Sequence, residues 1–493
     1  MEIPIIKSDN IEVNQNQNYN ILYWVLGLIL LFLVSKEAVV LPLTHDEGNT
    51  IHCSTTSVWD IITYKDPVPN NHILNTLLIK INQSIFGKSL LAARLANILS
   101  FIPFFIFTVL IGKKLFESVW LQLLFVFSLV LQPFILDFYA VTRGYGLSLS
   151  LMIISIYYML LRINSGQRKD LILCILFAAL GVYANFTLLN YFIPVCLFLL
   201  YEIYKRNFNK NKSIFYQEFA ILFSLGIILI SAISVPVFKM VSTKQFVYWG
   251  TKGFFEDTVK SLIISLRSGV EYFGTTHEVI YIFITSLITL IIVYGNILNW
   301  KNKLNTTLLW MTALLLATIV YNQLQFIIFK VPFLNARTAL FFVPLVCIPL
   351  VLSIQVFFQR FKYWPFVIII TFLSVQMQHF IRGYSVNSNF EWYYDQNTYQ
   401  VLDHIKSMVE SGQAPKPAKI NCYWIFYPSL SYHVSQKYAE YIEIAPWDTK
   451  IKDDGNSLFY YTEGSEKDQL SEKFDVVKDF GYGARFLMRA KGK

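Results

Sequence analysis

The sequence predicts an all-α polytopic membrane bundle of about eleven transmembrane helices, followed by a small C-terminal α/β domain. Three observations carry this. The 493 residues are 55% hydrophobic and only 15% charged, with a mean hydropathy of +0.47, where a soluble domain would carry roughly a quarter charged residues. Apolar runs long enough to cross a hydrocarbon layer of ~30 Å recur along the chain. From 383 onward the charge returns, with 28 charged residues among 111.

Residues 1–19 form a polar, Asn-rich tail whose one cation is Lys7. It lacks a basic n-region and a small-residue cleavage site, so the first span reads as an uncleaved anchor. Apolar segments then fall at about 20–40, 91–112, 119–137, 145–161, 170–187, 189–203, 217–238, 279–298, 307–329, 338–358 and 364–381. In lipid each satisfies its backbone internally only as a helix. The pair 170–187 and 189–203 is so closely joined that one of the two is also open to being re-entrant. Cations orient the set. The loops 113–118, 162–169, 204–216, 299–305 and 359–363 hold 13 Lys and Arg in 39 residues, whereas the intervening loops 41–90, 138–144, 184–190, 240–278 and 330–337 hold 10 in 111. By the positive-inside rule this sets a cytoplasmic N-terminus in the cell inner (plasma) membrane, a transmembrane domain over 20–382, and an exterior (periplasmic) position for loops 41–90 and 240–278 and for domain 383–493. Within that last domain, 396–411 has helical spacing, Gly412 and Pro415-Lys-Pro417 break it, Ile420–Tyr427 is strand-like and Ser429–Tyr441 helix-like.

Several function classes lose their footing. The net charge of +9 comes from cations placed between apolar runs, which marks topology and anionic lipid and not nucleic acid. The five cysteines, Cys53, Cys174, Cys196, Cys347 and Cys422, form neither a C-x-x-C nor an even framework. There is no Walker loop, no GxGxxG after a strand, no HExxH and no GxSxG, which argues against NTP-driven transport, nicotinamide chemistry and zinc or serine hydrolysis.

The polar residues that a membrane does not explain all lie on the exterior side. Thr44-His45-Asp46-Glu47-Gly48 puts two adjacent acids just past the first span. They suit a helix N-terminus, and equally a general base or metal site beside a cavity. Asn70-Asn71-His72, followed by Leu74, Leu77, Leu78 and Ile81 at helical spacing, predicts an interfacial amphipathic helix with His72 at its start and Arg94 beyond it. A histidine there is a structural hydrogen-bonder or a ligand contact. Asp137 and Arg143, with Tyr145, occupy a short turn, either bridging each other or Glu47, or serving a site. Arg337 opens a span, as a snorkelling anchor or as a planar, permanently charged clamp for phosphate.

This constellation resembles GT-C-fold glycosyltransferases of the family 39 type, the group that includes protein O-mannosyltransferases and lipid A aminoarabinose transferases. The shared elements are the Asp46-Glu47 pair, the interfacial helix with His72 and the downstream Arg94-Leu95, the turn with Asp137 and Arg143-Gly-Tyr145, and the late Arg337, over approximately 20–380. Gly48, the Asn-Asn-His72 stretch and Thr338 depart from the usual pattern. The resemblance implies inverting transfer of a sugar from a polyprenyl-phosphate carrier to an acceptor lipid, glycan or protein on the exterior face. In that chemistry Asp46 is the candidate base, and Glu47 and Asp137 position it or hold a cation. Arg143 and Arg337 receive the phosphate, while His45, His72, Tyr145 and Arg94 line the substrate cavity. No cofactor is required with certainty, and a divalent cation remains an open question. The competing class is a transporter or flippase for a lipid-linked or anionic solute, which would place its polar groups near the midplane; a non-catalytic scaffold is the third.

Overall fold

A computed structural model of the protein describes residues 17–245, 250–271, 277–302, 305–360, 364–449, 451, 453–481 and 485–492. Most of the expected tail 1–19, parts of loop 240–278, and the loop cations Lys303 and Lys362 lie outside the described residues.

The bundle opens with α1 (Gln17–Val40), and four helices then build the first long loop and the span after it: α2 (His45–Thr55), α3 (Val58–Ile62), α4 (Ile73–Phe86) and α5 (Leu90–Leu115). The middle comprises α6 (Val119–Val130), α7 (Pro133–Ala140), α8 (Tyr145–Ser165), α9 (Arg168–Ala184), α10 (Leu189–Asn207) and α11 (Lys212–Ser242). The remainder is α12 (Ser261–Leu266), α13 (His277–Asn302), α14 (Thr306–Phe329), α15 (Phe342–Arg360) and α16 (Trp364–Gly383). The ends follow local rules. Ser89 caps α5 by accepting Ala92 N–H at 3.1 Å, Pro133 occupies the first turn of α7, and Gly166 closes α8 with φ +69°.

All eleven apolar segments are helical, but they are not eleven equal spans. Among the described residues eight helices are long and apolar enough to cross a membrane, and α6 and α7 make a ninth if read as one span bent by 53°. The helix α9 has 17 residues, and the apolar part of α15, 342–358, is likewise shorter than a full span. A hydropathy window reads an apolar run the same way whether lipid or protein covers it, and the central segments are covered by protein: Phe101, Phe104, Phe125, Tyr139, Met152 and Cys174 all sit in one buried core. The segments 170–187 and 189–203 are two separate helices, joined by the turn Phe186–Leu188, in which Asn185 Oδ1 accepts Thr187 N–H at 3.0 Å. The chain is a multi-pass membrane protein.

After α16 the chain crosses the end of the bundle through residues 384–397 and enters the α/β domain. There α17 (Thr398–Glu410), α18 (Tyr427–His433) and α19 (Gly464–Leu470) accompany β1 (Ala418–Cys422), β2 (Ile442–Ile444), β3 (Phe459–Glu463), β4 (Phe474–Asp479) and β5 (Arg485–Ala490) in a sheet of order β2-β1-β3-β5-β4. The strand β1 runs parallel to both neighbours, with Ile420 opposite Ile444 and Phe459, while β5 is antiparallel to β3 and β4. The predicted strand over 420–427 is shorter than expected. It ends at Cys422 because Trp424–Phe426 turns the chain into α18, where Pro428 sits in the first turn.

Gly48 lies where two elements touch. A Cβ there would lie 2.8 Å from Cβ of Pro428, so α18 rests directly on α2 and a bulkier residue would push the domain away. The same face is tied by Leu43 N–H donating to His433 Nε2 at 2.9 Å. Burial, reinforced by Arg94, depresses the His433 pKa to about 3, so the imidazole stays neutral and able to accept that bond.

Candidate active site

The acid pair begins α2 as a capping box. Thr44 Oγ1 accepts Glu47 N–H at 3.4 Å, and Glu47 Oε2 accepts Thr44 N–H at 2.9 Å. The two acids then part ways. Glu47 is completely buried and takes Arg94 Nε on Oε1 at 2.8 Å, Arg94 Nη2 on Oε2 at 2.6 Å, and Thr142 N–H on Oε1 at 2.7 Å. Burial opposes its charge, but Arg94 and the backbone donors more than offset this and hold the carboxyl below its ordinary range. Arg94 spends its other N–H groups on the carbonyls of Ala38, Leu41 and Pro42. It is therefore a buried strut joining α1, α5 and α2, and not one of the groups that meet Asp46. Glu47→Gln should destabilise the protein by about 3 kcal/mol, because it leaves Arg94 buried without its counter-charge. Thermal unfolding in detergent checks this; an unchanged midpoint would show that the pair is replaceable.

Asp46, one residue earlier, faces a different side of α2, and its side chain keeps 14% exposure. Its Oδ2 meets Arg337 Nη2 at 3.0 Å, Trp392 Nε1 at 3.2 Å and Arg143 Nη2 at 3.6 Å, while Oδ1 accepts Asn70 Nδ2 at 3.2 Å. Burial works against the ionised form, yet Arg143 and Arg337 hold the carboxyl far below the usual carboxylate range.

Each partner is delivered by its own element. Arg143 lies in the tight turn before α8, which Asn75 of α4 fixes by donating to the Thr142 carbonyl at 3.2 Å. Gly144 is required there, since a Cβ would meet the Ala184 carbonyl at 2.2 Å and Cβ of His72 at 2.9 Å. Arg143 Nη1 donates to Thr50 Oγ1 at 2.6 Å and to the Asp46 carbonyl at 3.3 Å, whereas its Nε is buried with no partner among the described residues. His72 is the N-cap of α4 but makes no cap bond; its ring lies 5.3 Å from that of Tyr145, and its Nε2 is also buried without a partner. Burial and Arg143 keep this imidazole neutral, with its pKa well below the ordinary value.

Arg337 sits in the turn Ala336–Ala339, ahead of the helix it was expected to open. Ala336 takes φ +43°, a conformation that side chains rarely adopt. Loop 240–278 secures it, with Ser261 Oγ accepting Ala336 N–H at 2.8 Å and Thr258 Oγ1 donating to the Leu334 carbonyl at 2.6 Å. The Arg337 guanidinium pairs with Glu391 through Nη1, lies 5.2 Å from the Trp392 ring and has Tyr145 within reach.

Two expected members lie elsewhere. His45 turns to the C-terminal domain: its N–H donates to Asp395 Oδ2 at 2.7 Å, its Nδ1 to the Ile425 carbonyl at 2.8 Å, and its ring packs edge-on to Trp424. Asp137 is buried on α7 and makes no ion pair with Arg143; its Oδ2 accepts Phe390 N–H at 3.1 Å, behind the segment whose next two residues face Asp46 and Arg337. Among the described residues no group of three or more His, Cys, Asp or Glu is arranged to hold a metal ion. Glu391 and Trp392 join the site without having been singled out, and so does Asn70, noted only as part of the stretch before His72. The available signal was Phe390-Glu-Trp-Tyr-Tyr-Asp395, an acidic aromatic run just past the last span.

Residues 70–233 match the family described as dolichyl-phosphate-mannose-protein mannosyltransferase. That stretch contains His72, Arg94, Asp137, Arg143 and Tyr145, to which Asp46 and Arg337 are brought by folding. No curated protein is significantly similar in sequence. Among solved structures, ArnT from Cupriavidus metallidurans bound to undecaprenyl phosphate superposes with a TM-score of 0.50 at 11% identity, covering 96% of this chain and 98% of that one. Its apo form gives 0.49 at 10% identity with the same coverage. In fold over nearly its whole length, and in sequence over 70–233, the chain is thus similar to GT-C glycosyltransferases of the family 39 type.

Proposed function

We propose that this protein is an integral-membrane inverting glycosyltransferase that moves a sugar from a polyprenyl-phosphate carrier to an acceptor lipid, glycan or protein at the exterior face. One observation carries the reading: a carboxylate and two guanidinium groups from three distant stretches of chain converge at one end of the bundle, beside buried polar atoms, Arg143 Nε and His72 Nε2, that have no partner among the described residues. Such atoms suit a polar ligand. That a protein of this fold holds undecaprenyl phosphate supports the donor class.

The chemistry assigned to the site is a single displacement. The acceptor O–H or N–H attacks the anomeric carbon, the bond from that carbon to the phosphate oxygen breaks, and the electron pair leaves with the phosphate. Arg337 and Arg143 take up the growing charge on the leaving group. Asp46 accepts the acceptor's proton. In the free protein Asp46 is a weak base because two arginines neutralise it. As they turn to the phosphate, its basicity returns in the presence of donor.

The transporter reading loses support at the other end of the bundle. There Arg162 is buried between Glu202 at 3.0 Å and Glu218 at 2.7 Å, a closed ionic network and not a polar path. The orientation implied by the cations puts position 443 outside and position 210 inside, which single-cysteine labelling of intact cells reads directly.

The deciding experiment incubates purified protein with a panel of polyprenyl-phosphate sugars and acceptors and follows released polyprenyl phosphate. Acceptor-dependent release from at least one donor is the expected result. Movement of the donor across a vesicle bilayer with the sugar bond intact would replace the enzyme with a flippase.

A further inference from the structure

The donor side of the site is already filled by the protein itself. Arg337 is the residue assigned above to the leaving phosphate, and its two terminal nitrogens are both taken by carboxylates, Nη1 by Glu391 and Nη2 by Asp46. Glu391 does not belong to the transmembrane bundle. It lies on the 384–397 crossing that leads into the C-terminal domain, flanked by Phe390, whose N–H is held by Asp137, and by Trp392, whose indole donates to Asp46 and lies against the Arg337 guanidinium. A guanidinium offers the same planar fork to a carboxylate as to a phosphate oxygen pair. The Glu391 side chain is 17% exposed and that of Arg337 28%, so the pair sits at the rim of the site and is not locked in the core.

We propose that Glu391 is an internal substitute for the donor phosphate: its carboxylate occupies Arg337 in the free protein, and the polyprenyl phosphate must displace it, carrying the Glu391-Trp392 segment off the site. This rests on the assignment of Arg337 to the phosphate. Two consequences follow from charge. Arg337 never stands as an uncompensated cation at the membrane boundary, where it would capture any anionic headgroup. Donor affinity is also reduced by the fraction of molecules in which Glu391 has already released Arg337. Because Trp392 and Glu391 are adjacent, the same displacement strips one hydrogen bond from Asp46, so donor arrival and the freeing of the base are one event.

The test measures binding of undecaprenyl phosphate, without sugar, to the full-length protein in detergent micelles, for wild type, Glu391→Gln, Arg337→Ala and the double variant. It also follows hydrogen exchange of the 388–393 amides. Glu391→Gln keeps the shape and hydrogen-bonding reach but removes the competing charge. It should bind about tenfold more tightly, which corresponds to Arg337 being free in roughly a tenth of wild-type molecules. Adding undecaprenyl phosphate to wild type should speed exchange at 388–393. Weaker or unchanged binding by Glu391→Gln, with binding lost in Arg337→Ala, would overturn the substitution and make Glu391 a positioning residue that holds Arg337 in place. Slower exchange on adding lipid would overturn it as well. Wild-type affinity in Arg337→Ala would instead remove the phosphate assignment on which the proposal rests.

Discussion

Asp46→Asn is expected to fold, insert and bind the polyprenyl-phosphate donor, yet to transfer sugar at least about 10²-fold more slowly, within the 10²–10⁴ that general-base assistance typically supplies. Asn keeps the size and one of the two acceptor oxygens that serve Trp392 and Asn70, but it cannot take a proton. Single-turnover transfer at saturating donor is the measurement, with donor binding beside it. A second effect sharpens the prediction. The carboxylate neutralises Arg143 and Arg337 in the free protein, so removing its charge leaves both arginines more available, and donor binding should stay equal or improve while turnover collapses. Opposite movement of affinity and rate is the signature of a base that also serves as counter-ion. A variant transferring at near-normal rate would remove the base assignment. The comparison with Glu47→Gln separates the neighbours, since Glu47 is consumed by Arg94 and its loss should appear first in the unfolding midpoint.

Arg337→Ala should lose donor binding and nearly all turnover, and Arg337→Lys should recover only part. A charge-assisted contact of this kind is worth about 1.5–3 kcal/mol, or roughly ten- to a hundredfold in affinity. Two effects add here. The phosphate loses its clamp, and Glu391 is left as an unpaired carboxylate facing the incoming anion. Arg337→Ala with Glu391→Gln should therefore bind donor better than Arg337→Ala alone. Lysine restores charge without the fork, and the stacking on Trp392 also depends on the planar group. Wild-type affinity and turnover in the alanine variant would reduce Arg337 to a membrane anchor.

By itself the sequence determined what local chemistry governs. Hydropathy marked the apolar helices, and composition separated the domain after 383. The adjacent acids Asp46 and Glu47 suited a helix N-terminus, which is where α2 begins, and the spacing after His72 placed α4. Position along the chain also made Asp46, Arg143 and Arg337 candidates, since polar groups at a bundle end need partners wherever the chain goes. Tertiary structure alone decided which partner each received. Asp46 and Glu47 are neighbours in sequence, but successive residues of a helix point about 100° apart, so one meets Arg94 in the core and the other meets the site. Asp46 is reached by Arg337 across 291 positions and by Trp392 across 346, distances at which no periodicity carries information. His45 was drawn away by Asp395 and Ile425 for the same reason, and Asp137 by Phe390. A buried charge is satisfied by whatever packing brings to it, and packing is a property of the whole chain.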